Sequence, residues 1–459
     1  MKHLIKITKQ EKIHFNIALE AITIINAQGF NVALIGGSVR DLLRRKFNNE
    51  QVIINDLDFC IFDNKGNSIG HQEMQKLVDL IHSNGFDIDP AGMKFLHFAA
   101  MKNGFEIEFG TPRAESYVDD SRKPICIAGN FKDDQKRRDF TINAIFAKII
   151  LNKDILTLDI IAGKNGINDI KKGVLRTVNS NVEKVFDEDP VRILRAIRFS
   201  KYGFKLDSKI VDVIFNFDEE KFKKVSSERI FDELKKILMK GDVEFLFTSG
   251  IIEKIIPEFK AFNGKIFEVE TAKHIIKTIN IADTIEMKLI ALFHDIGKAH
   301  TGIFNETQNR WQFLKHEQIS EILSKDILKR FGVDNKLINL VSGVCANHMR
   351  VKFLVNSKRS KIIKLLLINE FILPSLKFNK FDWEGKSDEW QEKMDTFNTH
   401  IKLENKINLI KTLIEENLTK ETSKELTKQV CDNENIPIDK RSEMILSNKI
   451  NFLSKIKID

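Results

Sequence analysis

The stretch Val32–Phe59, VALIGGSVRDLLRRKFNNEQVIINDLDF, decides how the rest of the chain is read. It opens on apolar Val32–Ile35, passes Gly36-Gly37-Ser38, turns amphipathic from Val39, and closes on Asp56-Leu57-Asp58 inside a second apolar run. The pattern predicts strand, tight glycine turn, helix, strand. Glycines after a strand let the backbone approach a ligand, and amides at a helix start attract phosphate. Residues two apart on a strand face the same way, so Asp56 and Asp58 present two carboxylates side by side. Such a pair is costly unless a cation lies between its members. Hard oxygen ligands suit magnesium bridged to substrate phosphates. A phosphate cradle beside paired carboxylates points to phosphoryl or nucleotidyl transfer.

Working outward, residues 1–30 read as a helix feeding the first strand, with Ile13, Phe15, Ala18, Leu19 and Ile22 on its apolar face. Downstream, Phe95–Ala100 and Phe105–Phe109 read as strands paired around Asn103-Gly104. Glu106 and Glu108 share one face of the second. In KRRDFTINAI, Lys136–Ile145, adjacent Arg137 and Arg138 can hold triphosphate oxygens in forked, charge-assisted bonds. Asp139 and Asn143, four apart, share a face if the segment is helical. In DEDPVRILRAIRFSKYGFKLD, Asp187–Asp207, acidic residues open a predicted helix, and Arg192 and Arg195 follow on neighbouring positions. An aspartate acceptor and an arginine donor can together read the Watson–Crick edge of a base.

These motifs resemble class II nucleotidyltransferases of the polymerase-beta type, the group of tRNA CCA-adding enzymes and bacterial poly(A) polymerases. GGSVRD with DLD resembles the family's first motif, and Arg137–Ala144 resembles its RRDFTINA motif at every position. LDIIAGKNGINDIKKGVLRTV resembles a third motif, departing from it at Ile160 and Ile161 and by about three extra residues near Gly163–Asn165. The resemblance implies a third metal-binding carboxylate on the Phe105–Phe109 strand. It selects Glu108 over Glu106, because Arg113 lies five residues beyond Glu108. It implies that Asp56, Asp58 and Glu108 hold two magnesium ions. Gly36, Gly37, Ser38, Arg40, Arg137 and Arg138 are then expected to hold the nucleotide's phosphates. Asp139, Asn143 and Arg195 are expected near the nucleotide, with Asp189 and Arg192 selecting C and A. Val225–Leu238 resembles the family's neck helix, packed through Ile230, Phe231, Leu234, Ile237 and Leu238.

LIALFHDIGKAHT, Leu289–Thr301, carries a different chemistry. A His-Asp dipeptide in an apolar helix needs partners, and the two together ligate divalent metals. The order His274, His294-Asp295, His316, His348, Asp382 resembles the HD phosphohydrolase superfamily. That resemblance makes His274, His294, Asp295 and Asp382 the basic set for a second divalent metal, and His316 and His348 its extension to two ions. Asp388 lies close enough in sequence to compete with Asp382.

The bulk numbers agree with this reading. The 459 residues suffice for several domains, and 42% hydrophobic with 30% charged residues is an ordinary soluble composition. The charge of +8, from 73 Lys+Arg against 65 Asp+Glu, fits a nucleic-acid partner and equally a lysine-rich composition. Four scattered cysteines in no CxxC pattern argue against a disulfide framework and for a cytoplasmic setting. The N-terminus lacks a signal-peptide pattern, and no apolar run reaches the roughly 20 residues of a membrane span. The expected architecture is α+β: a polymerase-beta-type head over 1–147, a helical neck and body over 148–263, an HD domain over 264–385, and a helical, solvated tail over 386–459. The expected activity is CCA addition to tRNA from CTP and ATP. Poly(A) polymerase, or an HD metal phosphohydrolase acting on RNA ends or nucleotides, stands as the alternative.

Overall fold

The computed structural model describes residues 1–54, 56–116, 125–386, 390–433 and 436–456. They form two compact units, Met1–Val225 and Ser226–Asp459. The first is α+β and the second mainly helical.

In the first unit the strands are β1 Lys2–Lys6, β2 Asn31–Ile35, β3 Leu57–Phe62, β4 Asp87–Asp89, β5 Phe98–Lys102, β6 Phe105–Gly110, β7 Arg113–Ser116, β8 Ile125–Ala128, β9 Phe146–Asn152 and β10 Ile155–Ala162, with a separate short pair, β11 Val174–Leu175 and β12 Lys205–Leu206. Eight of them form one sheet in the order β1-β10-β9-β2-β3-β6-β5-β4. β3 and β6 run parallel, with Asp58 directly opposite Glu108. The strand alternation then sorts the sheet's two faces. Phe59, Phe98 and Phe109 stack on one, at ring separations of 5.6 and 5.3 Å, and Asp58 and Glu108 point the other way. The helices that position the site are α1 Lys9–Ala27, α2 Gly36–Asn48, α3 His71–Ser83, α4 Phe131–Arg137, α5 Lys164–Lys172, α6 Val182–Glu188 and α7 Val191–Lys201.

Three expectations about this unit are corrected. The chain does not begin as a helix: Lys2–Lys6 alternates exposed and buried residues and pairs with β10, and α1 starts only after Thr8, in a capping box with Glu11. Ile13 lies outside the buried stripe, at 52% exposure; that stripe runs through Phe15, Ala18 and Ile22, joined by Ile17, Ala21 and Ile25. The chain after Lys148 is not helical at first. Leu156, Leu158 and Ile160 are buried at period two, so β9 and β10 form a hairpin that widens the sheet. Finally, Asp139 and Asn143 do not share an α-helix. α4 ends at Arg137, Arg138 is extended, and a short 3-10 turn holds Thr141–Asn143.

In the second unit the helix Ser227–Lys240 buries Ile230, Phe231, Leu234, Ile237 and Leu238, as its spacing predicts. The helices Glu268–Ile281, Ile285–Phe293, His316–Arg330, Asn335–Lys352 and Ile372–Glu384 surround a buried polar centre. The C-terminal segment is not merely a solvated tail. Leu403, Ile407, Ile410, Leu413 and Leu453 are buried in one core with Val351, Leu354, Ile362, Ile363, Ile372 and Leu376. Arg359 ties the last helix down by donating to the carbonyls of Leu453 and Ile456. The apolar positions recur at helical spacing between lysines and glutamates, so one stripe buries while the rest stays wet.

Candidate active site and metal centre

The first unit's site grows from the β2–α2 turn. Gly36 has φ +69°, a left-handed conformation that costs an L-residue energy, and its Cα faces the site. A Cβ there would lie 3.6 Å from Asp58 Oδ2 and 3.7 Å from the Arg138 guanidinium. Ser38 Oγ donates to the Asp56 carbonyl at 2.5 Å, tying the helix start to the carboxylate segment. Asp56 is exposed just before β3, and Asp58 lies half-buried on it. Burial first, then the charge of Glu108, pushes the Asp58 carboxyl up to about 6. A divalent cation is the physical answer to such crowding, since it favours both carboxylates in their charged forms. Asp58 and Glu108 offer the oxygen donors that suit a hard cation, but among the described residues Asp56, Asp58 and Glu108 do not converge as a three-ligand group.

Glu108 has a partner that the sequence reading missed. His97 Nε2 lies 3.1 Å from Glu108 Oε2, and that hydrogen bond holds the Glu108 carboxyl below its ordinary value. The Asn103-Gly104 turn sets the register that pairs Ala99 with Glu108, which places His97 diagonally across. A register argument from that turn could have found it.

Asp134 was also missed. It is 1% exposed and accepts from Arg137 Nε at 2.8 Å and from Arg138 Nε at 2.9 Å. Burial works against its charge, and the two arginines outweigh burial, so its carboxyl sits below the usual range. The signal was available: an acid three and four residues before an arginine pair meets both on a helix. Asp58, His97, Glu108, Arg113, Arg137 and Arg138 line one cavity of about 180 Å³.

The other predicted residues form a polar relay beside that cavity. Arg40 donates to Asn143 Oδ1 at 2.8 Å and grips Asp41 with a second nitrogen at 2.7 Å. Asn143 donates to Asp139 at 3.1 Å, and Arg195 Nε donates to the other Asp139 oxygen at 2.7 Å. Burial would raise the Asp139 carboxyl, but Arg195 and Asn143 hold it down at about 2. Arg192 is buried and donates to the carbonyls of Arg137, at 2.5 Å, and Val185, at 3.1 Å. Asp189 ends α6 and accepts the Val191 amide at 3.3 Å. Arg40, Arg192, Asp139 and Asn143 are thus bound to protein groups, whereas Gly36, Arg137 and Arg138 lie at the cavity or its carboxylates.

The second unit's centre brings together all six predicted residues. His294 and Asp295 follow the last turn of Ile285–Phe293 rather than lying within the helix. Gly297 allows this loop to dock: a Cβ there would come within 2.3 Å of the His316 carbonyl. Its amide donates to Ser320 Oγ at 2.9 Å. His294, His316 and His348 each place Nδ1 on a backbone carbonyl, of Ala291, Phe313 and Cys345, at 2.9, 2.7 and 2.6 Å. Donation from Nδ1 leaves the Nε2 lone pair for a metal. The Nε2 atoms of His274 and His294 stand 3.1 Å apart, as do those of His316 and His348. Burial lowers His294 and His348, favouring the neutral ligand form. Asp295 bridges the two pairs: Oδ2 lies 3.2 Å from His294 Nε2, and Oδ1 lies 3.3 Å from His316 Nε2. Asp382 Oδ1 completes the first set at 3.1 Å from His274. Two metal-competent groups result, His274–His294–Asp295 and Asp295–His316–His348. The fit to transition-metal cations is good, with imidazole and carboxylate donors converging. Asp388 lies outside the described residues.

Known families match three stretches: the poly A polymerase head domain at 32–176, the probable RNA and SrmB-binding site of polymerase A at 203–263, and the HD domain at 270–366. The chain is similar to a CCA-adding enzyme of Streptococcus gordonii, 30% identical over 267 residues covering 56% of this chain and 60% of that one. This match spans less than two thirds of that relative's length. A CCA-adding enzyme of Staphylococcus saprophyticus is 27% identical over 389 residues, 81% of this chain and 88% of its own. In fold, the chain resembles a CCA-adding enzyme solved in complex with CTP, with a TM-score of 0.60, 18% identity, and coverage of 100% of this chain and 97% of that one.

Proposed function

We propose that this chain, whose matched parts are a poly A polymerase head domain, its RNA-binding element and an HD domain, is a tRNA nucleotidyltransferase that adds CCA from CTP and ATP. The observation that carries the reading is the placing of Asp58 opposite Glu108 under Gly36 and Arg138. Asp56, Asp58 and Glu108 would hold magnesium. Bound there, it would make the tRNA's terminal hydroxyl a better nucleophile and neutralise the departing pyrophosphate. The chain's own residues do the rest. Gly36 lets the backbone approach the phosphates, and Asp134 aims Arg137 and Arg138 at the cavity where those phosphates would lie. His97 orients Glu108. We assign base selection to Asp189 and Arg192, with the Arg40–Asn143–Asp139–Arg195 relay holding that wall rigid. Two relatives named for CCA addition support the substrate, and a cytoplasmic place follows from it. No helix among the described residues is long and apolar enough to cross a membrane.

The test is incubation with magnesium, CTP and ATP, using tRNA transcripts ending before, within and after CCA, followed by 3′-end sequencing. Addition that stops at CCA is expected. Long A tails would make the protein a poly(A) polymerase, and no addition would overturn the reading. To the histidine centre we assign metal-dependent hydrolysis of phosphate esters, on the convergence of its Nε2 atoms.

A further inference from the structure

The two halves of the histidine centre differ in what else surrounds them. Among the described residues, Asp295 Oδ1, the oxygen facing His316 and His348, pairs with those two imidazoles and with no lysine. The half holding His274 and His294 meets three ammonium groups. Lys298 Nζ is 2.6 Å from Asp295 Oδ2, the oxygen that faces His294. Lys386 Nζ is 3.7 Å from Asp382 Oδ1, the oxygen that faces His274. Lys352 Nζ is 2.5 Å from Asp382 Oδ2. Among the described residues, two carboxylates thus face three lysines, a surplus of one positive charge before any metal arrives.

We infer that the His316–His348 half takes a divalent ion on its own, whereas the His274–His294 half takes its ion together with a phosphate group, which the Lys352 and Lys386 ammoniums hold. The inference rests on the metal reading of this centre. A dication entering the His274–His294 half displaces Lys298 and Lys386 from the carboxylate oxygens that it needs. Those cations stay within a few ångströms and repel it. A phosphate oxyanion beside the ion reverses the sign: it accepts from Lys352 and from the displaced Lys386, and neutralises the surplus. Metal and phosphate then each raise the other's affinity, because linkage between two ligands is reciprocal. The ligand class is a phosphate group with at least one unesterified, charged oxygen pair, such as a terminal phosphate. A neutral ester would not supply the charge.

The test titrates the full chain carrying Asp58→Ala, so that bound ions report the histidine centre, with cobalt(II) in the presence and absence of inorganic phosphate. Bound ions are counted by elemental analysis, and imidazole ligation is followed by visible absorption. One ion per chain without phosphate, and a second bound about tenfold more tightly with it, is expected. Lys386, half-exposed at 44%, can be changed without burying a void. Lys386→Gln is expected to admit the second ion without phosphate and to shrink the phosphate effect. Two ions of equal affinity without phosphate in the unsubstituted centre would overturn the inference, as would a single ion under both conditions. No bound ion at all would overturn the metal reading itself.

Discussion

The carboxylate site of the first unit and the histidine centre of the second both offer ligands to divalent cations, but they are held in opposite ways. Asp56 is exposed, Asp58 half-buried, and Glu108 48% exposed, and the last two are placed by one strand pair beside an open cavity. His294, Asp295, His348 and Asp382 are each 2% exposed or less, and backbone carbonyls fix the imidazoles of the two histidines. An open carboxylate site suits an ion that arrives with a substrate and leaves with a product. A closed nitrogen-rich centre suits an ion that stays. The difference teaches what burial adds: it lowers His294 and His348 further towards the neutral ligand form, while the open carboxylates of the first unit stay in contact with water.

The comparison can be broken most directly at Asp58. Asp58→Ala should lower nucleotide addition at least about 10³-fold, measured by single-turnover incorporation, because a charge-stabilising ligand is lost at the reacting centre. The ion count of the histidine centre should not change. Asp295→Ala should do the reverse, stripping that centre of ions because Asp295 bridges both histidine pairs, while leaving nucleotide addition within about twofold.

Next in size is Asp134. Asp134→Ala leaves two guanidiniums without their shared buried carboxylate and should cost about 3–5 kcal/mol in urea denaturation of the first unit. A smaller loss is expected from Lys386→Gln in the second unit, since Lys386 is itself 44% exposed and Asp382 keeps Lys352 as its nearer cation.

Asp139 sharpens the contrast through pH. Its folded-state carboxyl lies at about 2, below the unfolded value near 4, so it stabilises the fold above pH 4 and loses that contribution as pH falls through 2. The stabilisation is about 2–3 kcal/mol. Asp139→Asn should flatten the acid limb of the stability curve between pH 4 and 2, read by circular dichroism. The smallest effect is expected at His97. His97→Ala should slow addition about fivefold, with added magnesium restoring part of the loss and His97→Gln most of it, as a positioning role for Glu108 demands.

Local patterns revealed much of both sites. The glycine turn, the DLD carboxylates, the arginine pair and the His-Asp dipeptide each carry their chemistry within a few residues. The errors had physical causes. β1 pairs with β10 from about 150 residues away, so β1 could not be recognised as a strand from its own short, half-exposed sequence. Leu403, Ile407, Ile410 and Leu413 recur at helical spacing in the sequence, but the core that they join was not legible in it. Asp134 and His97 look like surface residues until the helix and the hairpin register bring them against the arginines and Glu108.

By itself, the sequence determined which side chains could bind phosphate, cation and imidazole-loving metal, because those chemistries need particular residue types at short spacings. Only the tertiary structure decided which of them meet. Parallel pairing of β3 with β6 set Asp58 directly opposite Glu108, the glutamate that the resemblance had selected. Close docking at Gly297 joined two histidine pairs through one aspartate, and Lys352 and Lys386 were brought to a single carboxylate. Such contacts depend on long-range burial and register, which no local stretch of chain specifies.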